Sequence, residues 1–88
     1  MESRIAVMAI IVKNTDSSAA LNALLHEYGS YIFGRMGIPC RERGVNVVSV
    51  AIDAPQDQIN SLAGRIGRLN GVTAKTVYSA KSYPADVQ

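Results

Sequence analysis

The stretch Val45–Ile52, VNVVSVAI, decides how the rest of the chain is read. One alternating set is Val45, Val47, Ser49 and Ala51, the other Asn46, Val48, Val50 and Ile52, and both are largely apolar. A strand with one wet face alternates apolar and polar residues, whereas one covered on both faces does not. This run is therefore expected at the centre of a sheet. Just before it, Arg41-Glu42-Arg43-Gly44 has the polar residues and the glycine of a hairpin turn, which makes Tyr31–Cys40 the other arm. Pro39 has no amide to give to a ladder, so that arm belongs at an edge, and Gly34 and Gly37 mark a bulge or a close backbone approach. After it, Pro55 suits a first helical turn, and Ile59, Leu62, Ala63, Ile66 and Leu69 form a helical stripe ended by Asn70-Gly71.

Further out, Arg4–Lys13, RIAVMAIIVK, is a second run apolar on both sets and thus a second central strand. It is too short for a membrane-spanning helix and lacks a basic leader and a cleavage site. The helix-capping stretch NTDSS follows, and from Ser17 the residues Leu21, Leu24, Leu25 and Tyr28 recur at helical spacing up to Gly29. Val72–Ser79, VTAKTVYS, reads as the last strand, and 81–88 as a polar C-terminal tail. The order β-α-β-β-α-β predicts an α+β, ferredoxin-like sandwich, a four-stranded antiparallel sheet with two helices on one face, filling residues 1–80 as a single domain. That topology makes its first and third strands central, and these are the two doubly apolar runs. Two helices cover only one sheet face. The other, carrying Ala9, Val47 or Ala51 according to register, needs a second copy, so a homo-oligomer, dimer or tetramer, is expected.

The composition excludes several functions. With 88 residues and a formal charge of +2, the chain has room for one modest core and no block of like charge that would mark a nucleic-acid or membrane partner. Its single cysteine, Cys40, makes no internal disulfide and gives no ligand pair for structural zinc, which suits a reduced cytoplasmic setting. His26 falls opposite the apolar stripe of its helix and is expected in solvent, so no metal site is predicted. Arg41 and Arg43 would favour a thiolate at Cys40, but no base is positioned for it, so the thiol reads as structural. Asp53 and Asp57 are placed to serve the first amides of the second helix, and no acid and base couple is present. Gly64 and Gly67 lie off that helix's stripe, where close packing against a neighbour would account for them, and no phosphate loop is formed. The central strands hold no aromatic on which bases could stack, and no segment remains for a helix-turn-helix, so autonomous sequence-specific DNA binding is not expected. The chain is not read as an enzyme, and no cofactor can be named.

Gly34–Gly44, GRMGIPCRERG, concentrates the candidate site. Arg41–Gly44 is sufficiently explained as a turn. Arg35, in an apolar strand between Gly34 and Met36, is expected to meet an anionic group, either a carboxylate of another subunit or a bound anion, because its planar fork suits bidentate contacts. The ligand-binding or interface candidates are thus Gly34, Arg35, Met36 and Gly37, with Arg41 and Arg43 as weaker, salt-screened contributors.

The combination HEYG, GRMGIP, RERG and GRLNGV, in this order within Leu25–Ser79, resembles the small ACT-like iron-only hydrogenase system regulators. The first strand and helix fit that pattern too, so the resemblance spans nearly the whole chain. It implies a ferredoxin-like oligomer related in fold to ACT domains and to the ligand-binding domain of nickel-responsive regulators, one that senses or signals and is no enzyme. The several histidines and cysteine of the nickel-responsive proteins are not reproduced, so nickel sensing is not implied. The expected function is a small ligand-sensing or regulatory module of an iron-only hydrogenase system, taking a small-molecule effector. The rival is a protein-interaction subunit without any ligand.

Overall fold

Backbone pairing puts the two doubly apolar runs side by side. A computed structural model describes residues 2–84, as β1 (Glu2–Val12), a 3-10 turn (Thr15–Ser17), α1 (Ser18–Glu27), β2 (Ile32–Cys40), β3 (Val45–Ala54), α2 (Gln56–Gly67) and β4 (Val72–Pro84). The sheet order is β2-β3-β1-β4 with every neighbouring pair antiparallel. The expected α+β, ferredoxin-like arrangement with β1 and β3 central is therefore what the chain adopts.

Register assigns every residue of the sheet to a face. Across β2, β3, β1 and β4 the helix-side rows run Ile32, Ile52, Ala6, Tyr78, then Arg35, Val50, Met8, Thr76, then Gly37, Val48, Ile10, Ala74. Met8, Ile10, Val50 and Ile52 are fully buried there, under Leu21, Leu24 and Leu25 of α1 and Ile59, Leu62 and Ile66 of α2. Burying such side chains contributes about 1.5–3 kcal/mol each, the main favourable term in the fold. The opposite face has the rows Gly34, Ala51, Val7, Val77, then Met36, Ser49, Ala9, Lys75, then Ile38, Val47, Ile11, Thr73. No helix lies over it, and Met36 is 57% and Val77 68% exposed.

The structure differs from the sequence reading at four points. The last strand does not stop at Ser79: after a register shift it pairs Ser82 with Arg4, Tyr83 with Ser3 and Pro84 with Glu2. The expected tail from 81 thus begins as strand, because the start of β1 offers backbone groups that an edge strand can satisfy whatever its polarity. Residues 85–88 lie outside the described residues. Helix α2 ends at Gly67, with Arg68 as its cap, short of Asn70-Gly71. The α1 segment begins with a 3-10 turn, capped by the Asn14 side chain, which accepts from the Asp16 amide at 3.0 Å. Asp53 does not cap α2, since its register partner Ile5 places it on the sheet face away from the helices. Asp57 does sit in the first turn of α2.

The helices are tied to the sheet at its two ends. At one, Arg4 lies 4.6 Å over the Tyr78 ring and donates to Ser79 O at 2.9 Å and to Gln56 Oε1 at 3.2 Å. Gln56 Nε2 in turn donates to the Tyr78 hydroxyl and to Asn60 Oδ1. At the other, the Lys13 amide donates to Gly71 O and Ser17 Oγ to Asn70 O, both at 2.7 Å.

Candidate functional site

One irregularity in β2 positions the candidate residues. Ile32 pairs with Ile52 on the helix side, but Gly34 pairs with Ala51 on the open side, so Phe33 is the extra residue of a bulge. The bulge inverts the alternation of everything after it. Gly34, Met36, Ile38 and Cys40 consequently face away from the helices, while Arg35, Gly37 and Pro39 face toward them. The six candidates are therefore not brought into one cluster. Gly34 and Met36 belong to the open apolar face, Arg35 and Gly37 to the helix side, and Arg41 and Arg43 sit exposed in the hairpin turn, where the Arg43 amide donates to Cys40 O.

On the helix side a groove separates α1 from β2. Arg35 spans it, donating from its guanidinium to Asn22 Oδ1 at 2.9 Å. To one side lies a recess of about 320 Å³ lined by Val12, Leu21, Val48, Pro39 and the backbone of Gly37, with Ser18, Asn22, Asn46 and Arg35 as its polar groups. To the other lies a more open recess of about 390 Å³ between Leu25, His26, Ile32 and Phe33, which Arg35 also borders. No acidic side chain lines either recess among the described residues. The Ser18 hydroxyl is shielded from solvent and has no hydrogen-bond partner. A Cβ at Gly37 would have no atom within 4 Å, so the missing side chain is what leaves the first recess open.

The other polar cluster binds helix to helix. Arg65 grips the Glu27 carboxylate through both terminal nitrogens, at 2.6 and 3.2 Å, and donates to the Tyr28 hydroxyl, which shares a hydrogen bond with Ser61 Oγ. The Arg65 hydrogen bonds hold the Glu27 carboxyl below its ordinary range. The Tyr28 phenol is lowered too, first by Ser61 and then by Arg65. Both ends of the ion pair are partly exposed, so it is a clasp between α1 and α2, and neither residue lines the two recesses beside Arg35. His26 is exposed, as the helical spacing predicted, and no group of three or more His, Cys, Asp or Glu side chains converges among the described residues.

Sequence reasoning singled out Arg35 and Gly37 but missed Ser18, Asn22 and Asn46. The only signal for these three was polarity, at the start of α1 and β3 and in the middle of α1, which carries no information about a groove closed by a residue from another element. No helix among the described residues is long and apolar enough to cross a membrane.

The model of the TM1266-like family, described as an iron-only hydrogenase system regulator, matches residues 4–76. The chain belongs to this family. The structure of the TM1266 protein of Thermotoga maritima is similar at 30% identity, covering 86% of this chain and 96% of that one with a TM-score of 0.83. Two more distant structures share the fold alone. A formyltetrahydrofolate deformylase of Pseudomonas putida is 15% identical over 83% of this chain and 28% of its own, with a TM-score of 0.61. CPII of Thiomonas intermedia, a nitrogen regulatory PII-like protein bound to ADP, AMP and bicarbonate, is 11% identical over 92% and 96%, with a TM-score of 0.51. Among curated proteins no match was found.

Proposed function

We propose that this chain is a non-catalytic regulatory module of an iron-only hydrogenase system, assembled from copies joined through the open sheet face and responsive to a small effector held in the groove between α1 and β2. The observation that carries the reading is the open face itself. Three of its rows place Val7, Ala9, Ile11, Met36, Ile38, Val47, Ala51 and Val77 side by side across all four strands without cover. At about 4.8 Å between strands and 3.4 Å per residue, the three rows of four project roughly 390 Å². That is the size of the largest apolar patch on an ordinary monomer, a patch that is often functional, and about half of the roughly 800 Å² that each partner contributes to a stable interface. Among the described side chains, Lys75 in these rows and Asp53 in the row beyond them are charged, one of each sign, so a second copy can offer each an opposite charge. A face without aromatics on its central strands suits protein packing and offers nothing for base stacking, so any DNA effect would pass through a partner.

Light scattering at micromolar concentration tests the assembly. The wild type should be a dimer or larger. Ala51→Asp, which puts a charge between Val7 and Gly34, should split or unfold it, because an unpaired buried charge is costly. A monodisperse wild-type monomer would refute the reading. Thermal-shift screening separates it from the rival interaction subunit, since an effector that binds only the folded chain raises its melting temperature.

A further inference from the structure

Resting on that regulatory reading, we propose that the effector is a small aliphatic carboxylate, bound in the recess beside Arg35 with its carboxylate on the guanidinium and its hydrocarbon body against Val12, Leu21 and Val48. Three independent features of the recess define this chemistry.

The first is charge. Among the described residues Arg35 is the only charged side chain lining the recess, and its one hydrogen-bond partner is a neutral amide oxygen, which occupies a single one of its five N–H donors. The guanidinium is exposed at the edge of an apolar recess with donors to spare, and its fork matches a carboxylate bidentately.

The second is the set of neutral donors. The amide side chains of Asn22 and Asn46 border the same space, whereas the Ser18 hydroxyl is shielded from it. These donors suit one negative charge. A phosphate dianion would call for a second cation or free helix amides, yet the Ser17 amide is already bonded to Asn14 O and the Ser18 amide to Thr15 O. A zwitterionic amino acid would present an ammonium group to a recess with no acidic lining.

The third is shape. A volume of about 320 Å³ lies at the lower end of ligand cavities, and apolar residues make up its walls. Gly37 opens that space: it has ordinary negative φ, and a side chain there would enter unoccupied volume from the helix-facing side of β2. Filling it would block the hydrocarbon body and leave Arg35 in place.

The experiment is titration of the full chain with 4-methylpentanoate, its neutral amide, leucine and inorganic phosphate, read by thermal shift and by amide chemical shifts of α1 and β2. The carboxylate is expected to raise the melting temperature and to move the amides of Ser18, Asn22 and Gly37, with the amide, leucine and phosphate each at least tenfold weaker. Arg35→Gln and, separately, Gly37→Val should each weaken 4-methylpentanoate at least tenfold, while their unliganded spectra show a folded chain. Equal binding of acid and amide, tighter binding of leucine or phosphate, or indifference to both substitutions would overturn the proposal. So would no binding by any probe. Light scattering on the same samples reports assembly independently, so a failed ligand leaves the regulatory oligomer standing or falling on its own evidence.

Discussion

The Arg35 guanidinium donates to Asn22 Oδ1 at 2.9 Å, and among the described residues it makes the one side-chain hydrogen bond that crosses from β2 to α1. Everything else on the helix-facing side of β2 is a hydrocarbon, a proline or a glycine. Because both partners are exposed, the bond is expected to position the arginine more than to hold the helix. Asn22→Ala should lower stability by less than about 1 kcal/mol in urea denaturation. A loss above about 2 kcal/mol would mean that α1 is docked through this bond.

Two glycines with positive φ should behave differently. Gly71 has φ 70, and an added Cβ would lie 2.6 Å from Asn14 Cβ, whereas Gly44 has φ 68 and open space around it. Gly44→Ala should cost only the left-handed backbone term, about 1–2 kcal/mol. Gly71→Ala should cost at least about twice that, since the β1 to α1 connection must also move. Equal melting temperatures for the two variants would show that Asn14 yields freely.

The Arg65–Glu27 clasp makes a pH prediction. The folded-state carboxyl of Glu27 lies below its ordinary value of 4.5, chiefly through the Arg65 hydrogen bond. Its stabilising effect is therefore present above the unfolded pKa and is lost as pH falls through the lower folded pKa. Glu27→Gln should melt slightly below wild type at pH 7, with the gap closing as pH is taken well below 4.5 and narrowing in high salt, because the pair is exposed. A gap that is the same at neutral and acid pH would show that charge is not its source.

His26 borders the more open recess but lies in solvent. His26→Ala should change stability by no more than about 0.5 kcal/mol, as ordinary surface substitutions do. Elemental analysis of purified protein provides the complementary check: stoichiometric nickel or zinc, lost on this substitution, would contradict a metal-independent fold.

The fold was legible because its causes are local and periodic. Val45–Ile52 and Arg4–Lys13 are apolar on both alternating sets, and that property alone places them at the centre of the sheet, wherever the chain goes between them. Helical stripes at Leu21, Leu24 and Leu25 and at Ile59, Leu62 and Ile66 are equally local, as is the turn that Gly44 closes. The continuation of β4 to Pro84 was not legible, since a polar edge strand differs from a tail only in having a partner, and that partner is Glu2–Arg4 at the other end of the sequence. The candidate site shows the same division more sharply. Arginine between glycines pointed to Arg35, but a single extra residue at Phe33 decides which face Arg35 and Gly37 present, and sequence does not say where a bulge falls to within one residue. Because strand side chains alternate with period two, that one residue exchanges every neighbour. It is tertiary structure that moves Arg35 from the open face to Asn22, and that brings Ser18 and Asn46, distant in sequence, to the lining of the same recess.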